Sequence, residues 1–177
     1  TFKPVFEKAA AYPTRTFNSS SDIDVTGDDL TTTQMMGMAG EFSGIFEGQG
    51  HTITGDISGD MFNIIAANGV VRNVNIKTSN PVEANRGPLA HTNKGTISNV
   101  HIDMTVVEKR ATNTFAGMFF SNEGKVEDSS VAFHVNTASN TIKSFSNIGS
   151  GTYTNCTYTV DGTWDGAQNA VVATDGT

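Results

Sequence analysis

The residues able to do chemistry in this 177-residue chain are few and scattered. In the stretch DIDVTGDDLTTT, residues 22–33, Asp22, Asp24, Thr26 and Gly27 fall where a twelve-residue calcium loop begins and turns. Its last position holds Thr33, where such a loop needs a bidentate Glu, and no helix pair flanks it. The stretch therefore reads as a structural loop with solvated carboxylates. His51, His91, His101 and His134 lie at no metal-ligand spacing from one another or from Cys156. A glycan-cleaving site would need two carboxylates close together, or a carboxylate-held cation beside a base. Asp103, Glu127 and Asp128 are the best candidates, yet no second carboxylate recurs beside them. The expectation is a non-enzymatic chain with no catalytic residue, no cofactor and no metal.

Partners are bounded by charge. A formal net charge of −7 opposes the phosphate backbone, so no nucleic acid is expected. No apolar run approaches the ~20 residues of a membrane helix, and TFKPVFEKAAAYPTRTF lacks the apolar centre of a signal peptide. The expectation is a soluble chain with no membrane partner. The lone Cys156 excludes an internal disulfide framework and leaves the compartment open. Only 16% of residues are charged and 37% hydrophobic, while Gly, Thr, Asn and Ser are abundant. Such a composition suits short strands and tight turns, and the length suits one all-β domain.

What would position these side chains is a repeat. NGVVRNVNI (68–76), NKGTISNVHI (93–102), NEGKVEDSSV (122–131) and GSGTYTNCTY (149–158) align on Gly69, Gly95, Gly124 and Gly151, spaced by 26, 29 and 27 residues. Two places after the glycine stand Val71, Ile97, Val126 and Tyr153; four after, Asn73, Asn99, Asp128 and Asn155. Five after stand Val74, Val100, Ser129 and Cys156; seven after, Ile76, Ile102, Val131 and Tyr158. Apolar positions two and seven lie on opposite parities of a strand, so the backbone must bend between them. The Asn or Asp marks that bend, because Asn accepts a left-handed conformation better than other non-glycine residues.

A unit this short cannot bury its apolar face alone, whereas stacked copies bury a continuous column. The implied architecture is a parallel β-solenoid of about five coils over 41–160. The asparagines should form a ladder along its axis and the apolar columns its core. His101 should face outward in a column with Asn75, Ser130 and Thr157, and Lys77 and Asp103 should form a surface ion pair. Residues 1–40, with a short helix in FEKAAAY and a flexible apolar run MMGMAG, read as an N-terminal cap or attachment segment. Residues 161–177, with the only Trp, read as a C-terminal cap or arm.

The phrase FSGIFEGQGHTITG resembles the opening Phe-x-Gly-x-Phe-x-Gly-x-Gly-His-x-Ile of right-handed parallel β-helices in bacterial surface proteins and phage structural proteins. AGMFFSNEGKVEDSSV resembles their GLUG-type repeat, Gly-x-Leu-x-Gly-x-Asn-x-Gly-x-Ile followed by Asn-Ser. Phe120 and Ala90 neighbour positions often held by glycine, and the last copy diverges. The resemblance implies a single-stranded right-handed β-helix at a virion surface, as a capsid decoration or tail protein. Its partners would be its own copies as a homotrimer, the major capsid or tail protein, and a surface polysaccharide. It leaves two alternatives: an adhesive module of a bacterial cell-surface protein, or a polysaccharide-binding or depolymerising tailspike-like protein.

Overall fold

A computed structural model describes residues 14–26, 36–55, 57, 60–78, 87–106, 114–135, 141–161 and 172–173. Every strand pairing among them is parallel, and no helix occurs among them. Three walls line the stack. The back wall holds Met36–Phe42, Phe62–Ile65, Ala90–Asn93, Phe119–Asn122 and Ser146–Gly149 in sequence order. The third wall holds Thr114–Ala116, Thr141–Lys143 and Val172–Ala173. Between them runs a bent wall built around the long strands Val70–Thr78 and Thr96–Val106. The result is a parallel β-solenoid of about four turns, close to the five expected from the repeats.

The bend is the corner between the two halves of the repeat. Before it, Phe17, Phe46, Val71, Ile97, Val126 and Tyr153 stack in register. After it, Ile23, Ile53, Ile76, Ile102, Val131 and Tyr158 do the same. The central members of both columns are at most 2% exposed. Burying each such side chain stabilises the stack by about 1.5–3 kcal/mol. The last members are half-buried tyrosines at the end of the stack: Tyr153 stacks on Phe145 at 4.9 Å, and Tyr158 meets the same ring edge-on at 6.4 Å. The Tyr153 hydroxyl donates to Ser146 Oγ at 2.9 Å, so the ring closes the core while its polar tip is satisfied.

The core also carries an amide pair. Asn93 and Asn122, both fully buried, sit in register on the back wall. Asn93 Nδ2 donates to Asn122 Oδ1 at 2.8 Å, while the amides of Gly95 and Gly124 donate to the Oδ1 atoms of Asn93 and Asn122. Each Asn thus fixes the turn from the back wall into the bent wall. The pattern stops at the next coil, where Gly149 replaces the Asn and leaves Asn122 Nδ2 buried without an acceptor.

At the ends, Thr16–Asn18 and Ile23–Asp24 already pair as a rung of the bent wall, inside the segment read as a cap. Residues 36–40 of the supposed flexible apolar run instead begin the strand Met36–Phe42, which pairs with Phe62–Ile65 across a bulge. Its bulge sets the five-residue step from Met36 to Glu41 against the two-residue step from Phe62 to Ile64, which no count of alternating positions reveals. The FEKAAAY helix lies outside the described residues, as does the C-terminal tail apart from Asp161 and Val172–Ala173.

Candidate functional site: the outer face of the bent wall

The corner residues Asn73, Asn99, Asp128 and Asn155 all adopt left-handed backbone, with φ of 54°, 52°, 49° and 52°. Their side chains form a directional ladder. Asn99 Nδ2 donates to Asn73 Oδ1 at 2.9 Å, and Asn73 Nδ2 donates to the Glu47 carboxylate at 3.0 Å. Asn155 Nδ2 donates to Asp128 Oδ1 at 2.6 Å. Every donor points toward the preceding coil. Asp128 has no donor at neutral pH, so no such bond crosses from it to Asn99. His101 Nε2 lies 3.0 Å from Asn99 Oδ1, and because that oxygen only accepts, the ring is protonated there. His101 Nδ1 lies 2.8 Å from Ser130 Oγ, a hydroxyl that can donate or accept.

The ladder ends on Glu47 in a longer corner, where Gln49 (φ 53°) and Gly50 (φ 80°) make the turn. Burial pushes the Glu47 carboxyl up, but the Asn73 amide, the Gln49 N–H and the Arg72 guanidinium at 2.7 Å together hold it below its ordinary value. Asp128→Asn should supply the missing donor without changing the backbone. A gain of about 0.5–1.5 kcal/mol is expected, raising the melting temperature by a few degrees; an unchanged melting curve would remove the directional account.

Beyond the corner, outward residues form three columns. The first is Thr52, Asn75, His101, Ser130 and Thr157; the second Thr54, Lys77, Asp103, Ala132 and Thr159. The third is Thr105, His134 and Asp161. An open groove of about 270 Å³ runs between the first two, with Asn75, His101 and Ser130 on one flank and Lys77, Asp103 and Ala132 on the other. Its polar groups are held by neighbours: Asn75 Nδ2 donates to the Gly50 carbonyl at 2.9 Å, and His101 is fixed as above.

Lys77 and Asp103 share a column as expected, but no ion pair joins them among the described residues. Asp103 is instead 3.0 Å from His134 Nε2, one coil on and two residues along. A compact ring reaches that diagonal position directly, while an exposed lysine gains little by ordering its long stem. His134 Nδ1 lies 2.7 Å from Asp161 Oδ1. The hydrogen bond to Asp161 raises the His134 pKa above its ordinary value; partial burial opposes this, and the charges of Asp103 and Asp161 reinforce it. Two more histidines meet carboxylates across coils: His51 lies 3.3 Å from Asp22, and His91, stacked on Phe120, lies 3.7 Å from the buried Asp60.

The remaining candidates have structural employment. Asp22 accepts the Thr52 N–H at 2.8 Å, the main cause of its lowered pKa, and Asp24 accepts the Thr26 N–H at 2.8 Å. Gly27 and Thr33 lie outside the described residues. Glu127 sits between Ser98 and Thr154 in register, on the other half of the wall from Asp103. Burial raises the Cys156 thiol pKa, which disfavours the thiolate. Among the described residues, no group of three His, Cys, Asp or Glu side chains could hold a metal ion.

Sequence reasoning missed the Asn93–Asn122 pair, although both stand two places before an aligned glycine. Nor does counting along the columns single out His134, which stands one outward column beyond Lys77 and Asp103.

No family model and no curated protein matches the chain. A solved structure similar to it is that of a protein from Bacteroides ovatus titled a "putative immunoglobulin A1 protease". The two share 15% identity at a TM-score of 0.46, over 93% of this chain and 72% of that one. A likeness of that size carries no argument about activity.

Proposed function

We propose that the chain is a non-enzymatic structural and interaction module: a stiff β-solenoid displayed on a larger assembly, with a bacteriophage virion surface as that assembly. The observation that supports it is the way the outer groups are spent. Asn99 bonds Asn73, Asn155 bonds Asp128, His101 meets Ser130 and His134 meets Asp103, each pair across coils, which ties successive turns together. The phage-like and GLUG-like phrases supply the choice of assembly, in which a trimer attached to the major capsid or tail protein is the expected form. Mass spectrometry of purified particles from the source should find the protein; its absence from them would overturn the virion reading. A signal peptide and flanking repeats in the gene would favour the adhesive module of a bacterial surface protein instead.

The groove favours one second reading, polysaccharide binding. Its flanks carry the Asn75 amide, the His101 imidazole, the Ser130 hydroxyl, the Lys77 ammonium and the Asp103 carboxylate, groups able to meet a chain of hydroxyls. Affinity electrophoresis against host surface polysaccharides should show retention that Ala132→Trp, which fills the groove, abolishes. Equal retention by that variant would move any glycan elsewhere, and release of oligosaccharides would replace binding by depolymerisation.

A further inference from the structure

His134 is held between two carboxylates on opposite sides, each on a different coil. Its Nε2 lies 3.0 Å from Asp103 Oδ1 and its Nδ1 2.7 Å from Asp161 Oδ1. Both oxygens only accept, so both ring nitrogens must donate, and only the imidazolium can do this. The groups around it are few. Thr105 is its register partner on Thr96–Val106, where His101 and Asp103 share the outer face; Asp161 faces it from Thr157–Asp161. Lys77 sits one coil farther, beside Asp103.

Removing one ring proton would aim a nitrogen lone pair at a carboxylate oxygen and leave two carboxylates without a cation between them. One contact must then open. The strand carrying Asp103 is held by Val70–Thr78 on one side and Ser130–Val135 on the other. Among the described residues, Thr157–Asp161 is paired only with Ser130–Val135, and its inward Tyr158 and Val160 are half-buried where Met104 and Phe133 are fully buried. The weaker side is the last coil.

We infer that His134 is a latch that holds the strand Thr157–Asp161 against the stack in acidic to neutral solution and releases it as the solution turns alkaline. The sign follows from linkage. A histidine whose folded pKa is raised contributes fully below its unfolded value of about 6.5, and that contribution is lost as pH rises through the raised folded value. What release uncovers is the edge of Ser130–Val135, a row of backbone donors and acceptors able to take another strand.

Hydrogen exchange of the full chain, corrected for the intrinsic pH dependence of exchange, tests this. Between about pH 6 and pH 9, protection at the amides that pair Thr157–Asp161 with Ser130–Val135 should fall about fivefold or more, while Ile102–Val106, held on the far side of Ser130–Val135, stays protected. His134→Gln, on an outward position, should show low protection at those pairing amides at both pH values, and Asp161→Asn the same. A flat profile in the native chain, an equal fall in His134→Gln, or a fall shared by Ile102–Val106 would each overturn the latch. So would a titration of the His134 ring with a midpoint at or below about 6.5.

Discussion

Replacing Asn73 and Asn99 together by Val should lower the melting temperature by about 10 °C or more. Two terms add at each site. A β-branched residue forced into left-handed backbone costs about 1–2 kcal/mol, and the lost inter-coil amide bond costs about 1 kcal/mol. The sites share the 2.9 Å bond between them, so the double change should not equal the sum of the singles. Glycine separates the terms: Asn99→Gly keeps the backbone conformation and loses only the amide, and should be much the milder change. If the Gly and Val variants melt together, backbone handedness at the corner is not what the asparagines supply. If neither moves the transition, the ladder contributes nothing.

Gly124→Ala should cost about 3 kcal/mol, although Gly124 has no unusual φ. The reason is proximity. A Cβ there would stand 2.2 Å from the Gly95 carbonyl oxygen and 2.7 Å from the Lys94 carbonyl carbon. The obstacle is backbone and cannot move freely, because that same Gly95 oxygen accepts the Lys125 N–H at 2.8 Å. Gly95 repeats the arrangement one coil below, 2.2 Å from the Gly69 oxygen, so the aligned glycines are a stack in which each turn lies directly on the last. Gly40→Ala is the control, since a Cβ there meets nothing within 4 Å, and it should leave the melting curve almost unchanged. A harmless Gly124→Ala would mean that the turns sit farther apart than described.

Much of this was legible in the chain because a solenoid converts sequence period into spatial register. Val71 above Phe46 and below Ile97 follows from counting, once the glycines are aligned. The corner was legible too, because the parity change between positions two and seven leaves only one place for it. What counting could not reach were contacts off the column. Asp103 meets His134 diagonally, and that depends on Ala132 being short and the imidazole being rigid. The strand Met36–Phe42 was lost because its bulge breaks the alternation by which strands are recognised. The function of the outer face was not legible, because alternating polar residues on a strand look the same whether they bind a ligand or only water.

The one-way amide ladder also bears on how such a chain can lengthen. A coil whose corner is Asn gives a bond to the turn before it and takes one from the turn after, so a tandem copy of the coil carrying Asn99 would join the series at both faces. The coil carrying Asp128 can only receive. Copied in tandem, it would set two carboxylates against each other across one strand spacing. Growth by internal duplication is thus open on the N-terminal side of that residue and penalised at it, so a single oxygen in place of an amide nitrogen marks where the series stops being extendable.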